Sequence, residues 1–284
     1  MTEYSFYANG DVAPTATIGG PDTGLLMGVA GLSVDSNGYL YAATSGVNGT
    51  PNAIVVYSPG ANGDAPPVRT LTALSHGGVW SVATAEDAAG DLWVANLSIP
   101  ALEEFAPNAS GDAQPIRTIS GANTGLIKPL GIALSSRGDV WVADLYADEV
   151  MRFGPGQKGN VAPKQVIAGP LTGLMRPVGV ALGPGTIWVA DVSFIPVVGV
   201  REFSSSVNGD ELPLRVIRLN GPFSINGGPL DIDGDVIFPA VGGGQSSAVF
   251  AFSDRAESVL GSKPLRVISG QNTQLISTGW IAVH

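Results

Sequence analysis

Lys128 stands 16 residues ahead of Asp144, and Arg176 stands 15 residues ahead of Asp191. Each pair brackets nearly the same text. Pro129-Leu130-Gly131-Ile132-Ala133 leads to Trp141-Val142-Ala143-Asp144, and Pro177-Val178-Gly179-Val180-Ala181 leads to Trp188-Val189-Ala190-Asp191. Two cations beside two carboxylates can bind a polar ligand, and the planar guanidinium of Arg176 suits two-point contact with a carboxylate or phosphate. The same residues can instead pair with one another, or the aspartates can be tethers that accept backbone N–H groups of the next connection. Asn96 closes a related stretch, Leu92-Trp93-Val94-Ala95-Asn96, and Asn226 falls at the position of Lys128 in a later one. His76 is the one candidate general base among these segments, although a lone loop histidine is more often a bystander.

Metal chemistry finds little support. Two histidines and no cysteine cannot supply three zinc ligands without carboxylates. Asp231-Ile232-Asp233-Gly234-Asp235 has the composition of a calcium loop but not the spacing of an EF-hand. It aligns with a hairpin, where Asp and Gly are ordinary turn residues. There is no Gly-x-Ser-x-Gly, no glycine-rich phosphate loop and no His-Glu-x-x-His, so no nucleophile or cofactor motif is present. No cofactor and no metal are expected.

The elements that must position these residues recur. Asn62-Gly63-Asp64, Pro67-Val68-Arg69, Thr124-Gly125-Leu126 and Trp141-Val142-Ala143-Asp144 each have counterparts along the chain, and six copies are visible. Ala30, Trp80, Leu130, Val178, Gly228 and Thr278 mark matching positions in steps of 48 to 50 residues. Units of that length, each holding four short strands, predict a β-propeller. Alternation places strands at 131–134, 140–143 and 150–153, with 116–119 as the outer strand of the preceding unit. The 39 glycines, 21 prolines and 13% charged residues fit a turn-rich all-β fold and exclude a helical bundle or coiled coil. With 44% hydrophobic residues the chain is not disordered.

The Pro-x-Gly-Ile/Val-Ala and Trp-Val-Ala-Asp elements resemble those of NHL-type six-bladed propellers, over nearly all of the 284 residues. The resemblance implies a single six-bladed, all-β domain over 1–284 and leaves function open, because such propellers serve as enzymes, binders and scaffolds. The chain is also similar in fold to lactonase-like propellers, which hold a divalent metal on inward connections. Here the expected mouth residues are apolar or small, with Thr278 the one hydroxyl, and a hard cation needs 6–8 oxygen ligands.

In such a ring the d-to-a and b-to-c connections share one face. Lys128, Arg176, Asn226, Asn96, Asp144 and Asp191 are expected there, with Trp80 as an apolar wall, stacking platform or channel plug and Tyr146 and Phe194 as rim aromatics. Arg69, Arg117, Arg215 and Arg266 are expected to solvate the outer edges, and Trp93, Trp141 and Trp188 to pack between blades. Closure looks irregular: strand a of the last blade falls at 280–283, the N-terminus supplies its c and d strands, and strand b is lacking. An edge left there is expected to be covered or paired.

A net charge of −10 excludes nucleic acid and anionic lipid as expected partners. Residues 1–6 lack the pattern of a signal peptide, and a secreted or periplasmic origin is expected if a leader has been trimmed. The leading expectation is a monomeric or weakly oligomeric binding module for a small polar or anionic ligand, a glycan or a protein segment. A metal-independent hydrolase or lyase at the same mouth is the alternative. An assembly protein whose last blade takes a partner strand is the third reading.

Overall fold

The computed structural model describes residues 1–25, 28–44, 52–72, 82–192, 199–218, 223–225, 230–232, 235–242, 247–253, 255, 263–275 and 281–282. The fold is an all-β propeller. Among the described residues, helix is limited to single 3-10 turns at Pro21–Thr23, Ala122–Thr124 and Gln271–Thr273.

The N-terminal strands β1 (Thr2–Glu3) and β2 (Ala16–Thr17) pair only with each other. Four antiparallel, meandering blades follow, the first being β3 (Val29–Val34), β4 (Leu40–Thr44), β5 (Ala53–Tyr57) and β6 (Arg69–Leu71). The second holds β7 (Val82–Glu86), β8 (Leu92–Asn96), β9 (Ala101–Phe105) and β10 (Arg117–Ser120). The third holds β11 (Pro129–Leu134), β12 (Val140–Asp144), β13 (Glu149–Phe153) and β14 (Gln165–Ile167). The fourth holds β15 (Pro177–Gly183), β16 (Thr186–Asp191), β17 (Gly199–Ser204) and β18 (Arg215–Arg218). In the fifth, the inner strand is split into β19 (Phe223–Ile225) and β20 (Leu230–Ile232). Both pair with β21 (Asp235–Gly242), beyond which lie β22 (Ser247–Ser253) and β23 (Arg266–Ser269).

The expectation of six blades is therefore corrected: there are five four-stranded blades, not six, together with the β1–β2 sheet. Of the strand expected at 280–283, only Ile281 and Ala282 are described, and neither is in a strand. The β1–β2 sheet sits between blades five and one, because Gly10 bridges Ile268 and Ile18 bridges Gly63.

Those bridges belong to a repeated belt. Leu71 with Gly111, Ile119 with Gly159 and Ile167 with Gly209 repeat the same parallel bridge between the outer strand of one blade and the turn of the next. The flanking turn residues reach across as well. Asn62 accepts the Thr17 N–H, Asp64 the Asp22 N–H, Asn208 the Val166 N–H and Asp210 the Leu171 N–H. At the chain start, Asn9 and Asp11 do the same for Val267 and Asn272. Glycine is required where these side chains land. A Cβ on Gly169, at φ +116°, would sit 2.4 Å from Asp210 Cγ. Three residues on, Thr23, Thr124, Thr172 and Thr273 are fully buried and donate to the carbonyls of Gly20, Gly121, Gly169 and Gly270. The Asn-Gly-Asp and Thr-Gly-Leu motifs are thus inter-blade joints.

The second blades' strands are buried on both sides, since each sheet is sandwiched between neighbours. That is why β8 and β12 read as apolar runs and not as an alternating pattern. Trp93, Trp141 and Trp188 are buried in separate inter-blade clusters. The recurrent arginines do more than solvate an edge. Arg117 is bidentate to Glu104 and lies 4.4 Å from the Trp93 ring. Arg215 repeats this with Glu202 and Trp188, and Arg69 reaches the Tyr41 hydroxyl and ring. The arginine thus crosses its neighbouring strand to cover an aromatic on the next but one, combining a paired charge with cation–π contact.

Strand pairing also corrects one position. Trp93, Trp141 and Trp188 face Ala85, Ala133 and Ala181. Val82 therefore takes the place matching Leu130 and Val178, which the repeat count had given to Trp80. Near the axis, inner strands crowd: a Cβ on Gly131 would lie 2.5 Å from Gly179 Cα. The glycine of Pro-x-Gly allows that approach.

Candidate functional site

The loop face gathers Lys128, Arg176, Asn96, Asp144, Asp191 and Tyr146. Trp80, Phe194, Asn226, Thr278 and His76 lie outside the described residues.

Asp144, fully buried at the end of β12, is saturated. Its Oδ2 accepts the Ile127 N–H at 2.8 Å, and its Oδ1 accepts the Lys128 N–H at 2.8 Å. Oδ1 also takes the N–H groups of Tyr146 and Ala147, which folds its own b-to-c turn. The tether holds the connection entering the same blade, where the sequence had suggested the next one. Asn96 makes the equivalent turn, accepting from Ser98 and Ile99 and donating to Glu103. Lys128 joins neighbouring blades by donating from Nζ to the Leu97 carbonyl at 3.0 Å.

Blade four departs from this pattern. Arg176 has φ 62°, and its N–H points to Asp148 Oδ1 of blade three at 2.7 Å instead of to Asp191. Its guanidinium carbon lies 5.6 Å from the ring centre of Tyr146. Asp191 is fully buried and bonded through Oδ2 alone, to the Met175 N–H at 2.7 Å and Arg201 Nη1 at 2.9 Å. Among the described residues, Oδ1 has no donor. Burial pushes the Asp191 carboxyl up to about 6, against the opposing pull of Arg201 and of the Met175 N–H, with Asp148 adding repulsion. Burial likewise lowers Arg201, although Asp191 favours its charge.

Ile99, Ile127 and Met175 are exposed on the same connections, and Tyr146 is 59% exposed. They lie on the b-to-c turns of blades two and three and on the entries to blades three and four. Lys128–Leu97 and Arg176–Asp148 join those same segments.

Two further groups were not picked out from sequence. Arg201 and Arg218 lie beside Asp191; the row Asp191, Gly199, Arg218 crosses β16, β17 and β18 in register. At the other end of the inner strands, Glu86 accepts from Ser33 Oγ at 2.7 Å, and that oxygen lies 2.6 Å from Thr84 Oγ1. Burial raises Glu86 to about 7, against the Ser33 hydrogen bond, with Asp35 adding to the rise. Glu86 occupies the place of Leu134 in blade three, and counting 11 residues from Leu71, as from Ile119 to Leu130, would have exposed that substitution.

Asp87, Asp91 and Glu104 also converge, with ligand atoms within 4.8 Å of one another. Glu104 is already bidentate with Arg117, and Asp87 Oδ1 accepts the N–H groups of Ala89 and Asp91.

No protein-family model matches the chain, and no curated protein matches it. Solved structures do resemble it. Hydrazine synthase of Kuenenia stuttgartiensis aligns with TM-score 0.57 at 13% identity, over 86% of this chain and 68% of that one. A functionally unknown protein from Desulfotomaculum acetoxidans gives 0.56 at 13% identity, over 88% and 74%. The WD40 domain of Toxoplasma gondii coronin gives 0.52 at 12%, over 86% and 59%. At these identities the likeness concerns the fold, and function must be argued from the site.

Proposed function

We propose that the chain is a propeller of NHL type acting as a binding module. Its loop face holds a small polar or anionic ligand, a glycan or a protein segment. The observation that carries this reading is the arc of exposed Ile99, Ile127, Tyr146 and Met175 alongside Lys128 and Arg176. Apolar side chains exposed together beside anchored cations are the usual make-up of a recognition surface. The recurrent motifs elsewhere are absorbed by inter-blade joints, which leaves this arc as the part of the repeat not needed for assembly. Nucleic acid and membranes are excluded as partners on charge, and no cofactor is invoked.

A metal-independent hydrolase or lyase is the second reading. It is favoured by Asp191, whose raised carboxyl suits proton transfer near neutral pH. The test is a screen of glycans, peptides and small anions against the full chain, repeated with Tyr146→Ala and with Ile127→Ser. Binding that drops at least tenfold in both variants supports the module. A ligand bound equally by wild type and both variants places recognition elsewhere.

A further inference from the structure

Asp144 and Asp191 stand at the same register in adjacent blades, each paired across the sheet with the proline that opens the inner strand. Both are fully buried. The first carboxylate is filled by main-chain donors on both oxygens. The second has Oδ1 without a donor among the described residues, and the cause is local. Arg176, in the left-handed region, turns its N–H to Asp148 and so withholds the donor that Lys128 gives Asp144.

A second lone group stands in the same blade. Arg218 Nε is buried and without a partner among the described residues. Arg218 faces Gly199 across β17–β18, and Gly199 faces Asp191 across β16–β17, so no side chain stands in the row between the two. Gly199 is fixed there, because a Cβ would lie 2.4 Å from the Ile217 carbonyl. An acceptor lacking a donor and a donor lacking an acceptor are each costly when buried. Arg201, 2.9 Å from Asp191, repels Arg218 and adds a second positive charge. The unmet needs are one hydrogen-bond donor for Asp191, one acceptor for Arg218 and one negative charge for the cluster.

We propose that the loop-face end of blade four binds a small hydroxylated monoanion of the 2-hydroxycarboxylate class. Its hydroxyl donates to Asp191 Oδ1, and its carboxylate accepts from Arg218 beside Arg201. The site rests on the loop-face reading and names the ligand chemistry for one end of that face.

Isothermal titration of the full chain with glycolate tests it, with acetate lacking the hydroxyl and ethylene glycol lacking the charge. Saturable glycolate binding is expected, at least tenfold stronger than acetate and with no heat from ethylene glycol. Arg218→Gln should weaken glycolate at least tenfold. If that variant fails to fold, Arg218→Lys keeps the charge, loses Nε and should weaken glycolate similarly. Absence of saturable glycolate binding, equal binding of acetate, or unaltered affinity in a folded Arg218 variant overturns the site. Should that happen while a Tyr146-dependent ligand still binds, only this site falls; loss of Tyr146 dependence as well removes the loop-face reading.

Discussion

The N–H of Arg176 bonds Asp148 of the preceding blade at 2.7 Å, whereas the N–H of Lys128, at the same place one blade earlier, bonds Asp144 of its own blade at 2.8 Å. One main-chain hydrogen bond thus divides two aspartates that look identical in sequence. Asp144 is a structural tether, and Asp191 keeps an oxygen in reserve.

Truncation should separate the two. Asp144→Ala leaves several buried N–H groups without an acceptor, at a cost of about 1–3 kcal/mol for each group that water cannot reach. Denaturant unfolding should show a total loss of about 3–5 kcal/mol. Asp191→Asn keeps an acceptor for Met175 and should lose about half as much or less. Equal losses would show that Asp191 is as fully engaged as Asp144.

The joints make a sharper structural prediction. Gly169→Ala must strain a backbone at φ +116° and displace the Asp210 side chain, which accepts the Leu171 N–H. A loss of about 2–4 kcal/mol is expected. Gly156→Ala, with open space around it, should cost about 1 kcal/mol from its positive φ alone. Similar unfolding midpoints for the two would contradict the joint.

These joints explain why the fold was legible. Asn, Gly, Asp and Thr recur because each blade must grip the next, so the period shows in the sequence. Register at the inner strand was less legible. Val82 was hidden because Trp80 attracted attention, although the spacing from Leu71 marked Val82. The sixth blade failed for another reason: a repeat count gives units, whereas β1 and β2 pair only with each other. The site was half legible. Lys128, Arg176, Asp144 and Asp191 did gather on one face, but the turn of the Arg176 N–H toward Asp148 depends on a left-handed φ that an arginine does not announce. Arg201 and Arg218 looked like ordinary strand residues until pairing placed them beside Asp191.

Acidity at the inner strands gives a pH test. Glu86 is raised to about 7 from an ordinary 4.5, so its protonated form favours the folded state. That stability is complete below about pH 4.5 and is lost as pH rises through 7. Its size is at most about 3 kcal/mol. Glu86→Gln should flatten this fall in melting temperature between pH 5 and pH 8 and should stabilise the protein at pH 8. An unchanged pH profile would mean that Glu86 is ionised in both states.

The arginine cover can be read by a double-mutant cycle. Arg117→Leu and Trp93→Leu should couple by about 1 kcal/mol, beyond the loss of the Glu104 pair, from cation–π contact at 4.4 Å. Additive effects would reduce Arg117 to an ion-pair partner.

The central claim, that Asp191 serves a ligand and Asp144 serves the fold, is tested most directly by carboxyl carbon NMR of the full chain during a glycolate titration. The account predicts that the Asp191 resonance moves saturably while that of Asp144 stays in place. A stationary Asp191 resonance, or equal movement of both, would contradict it.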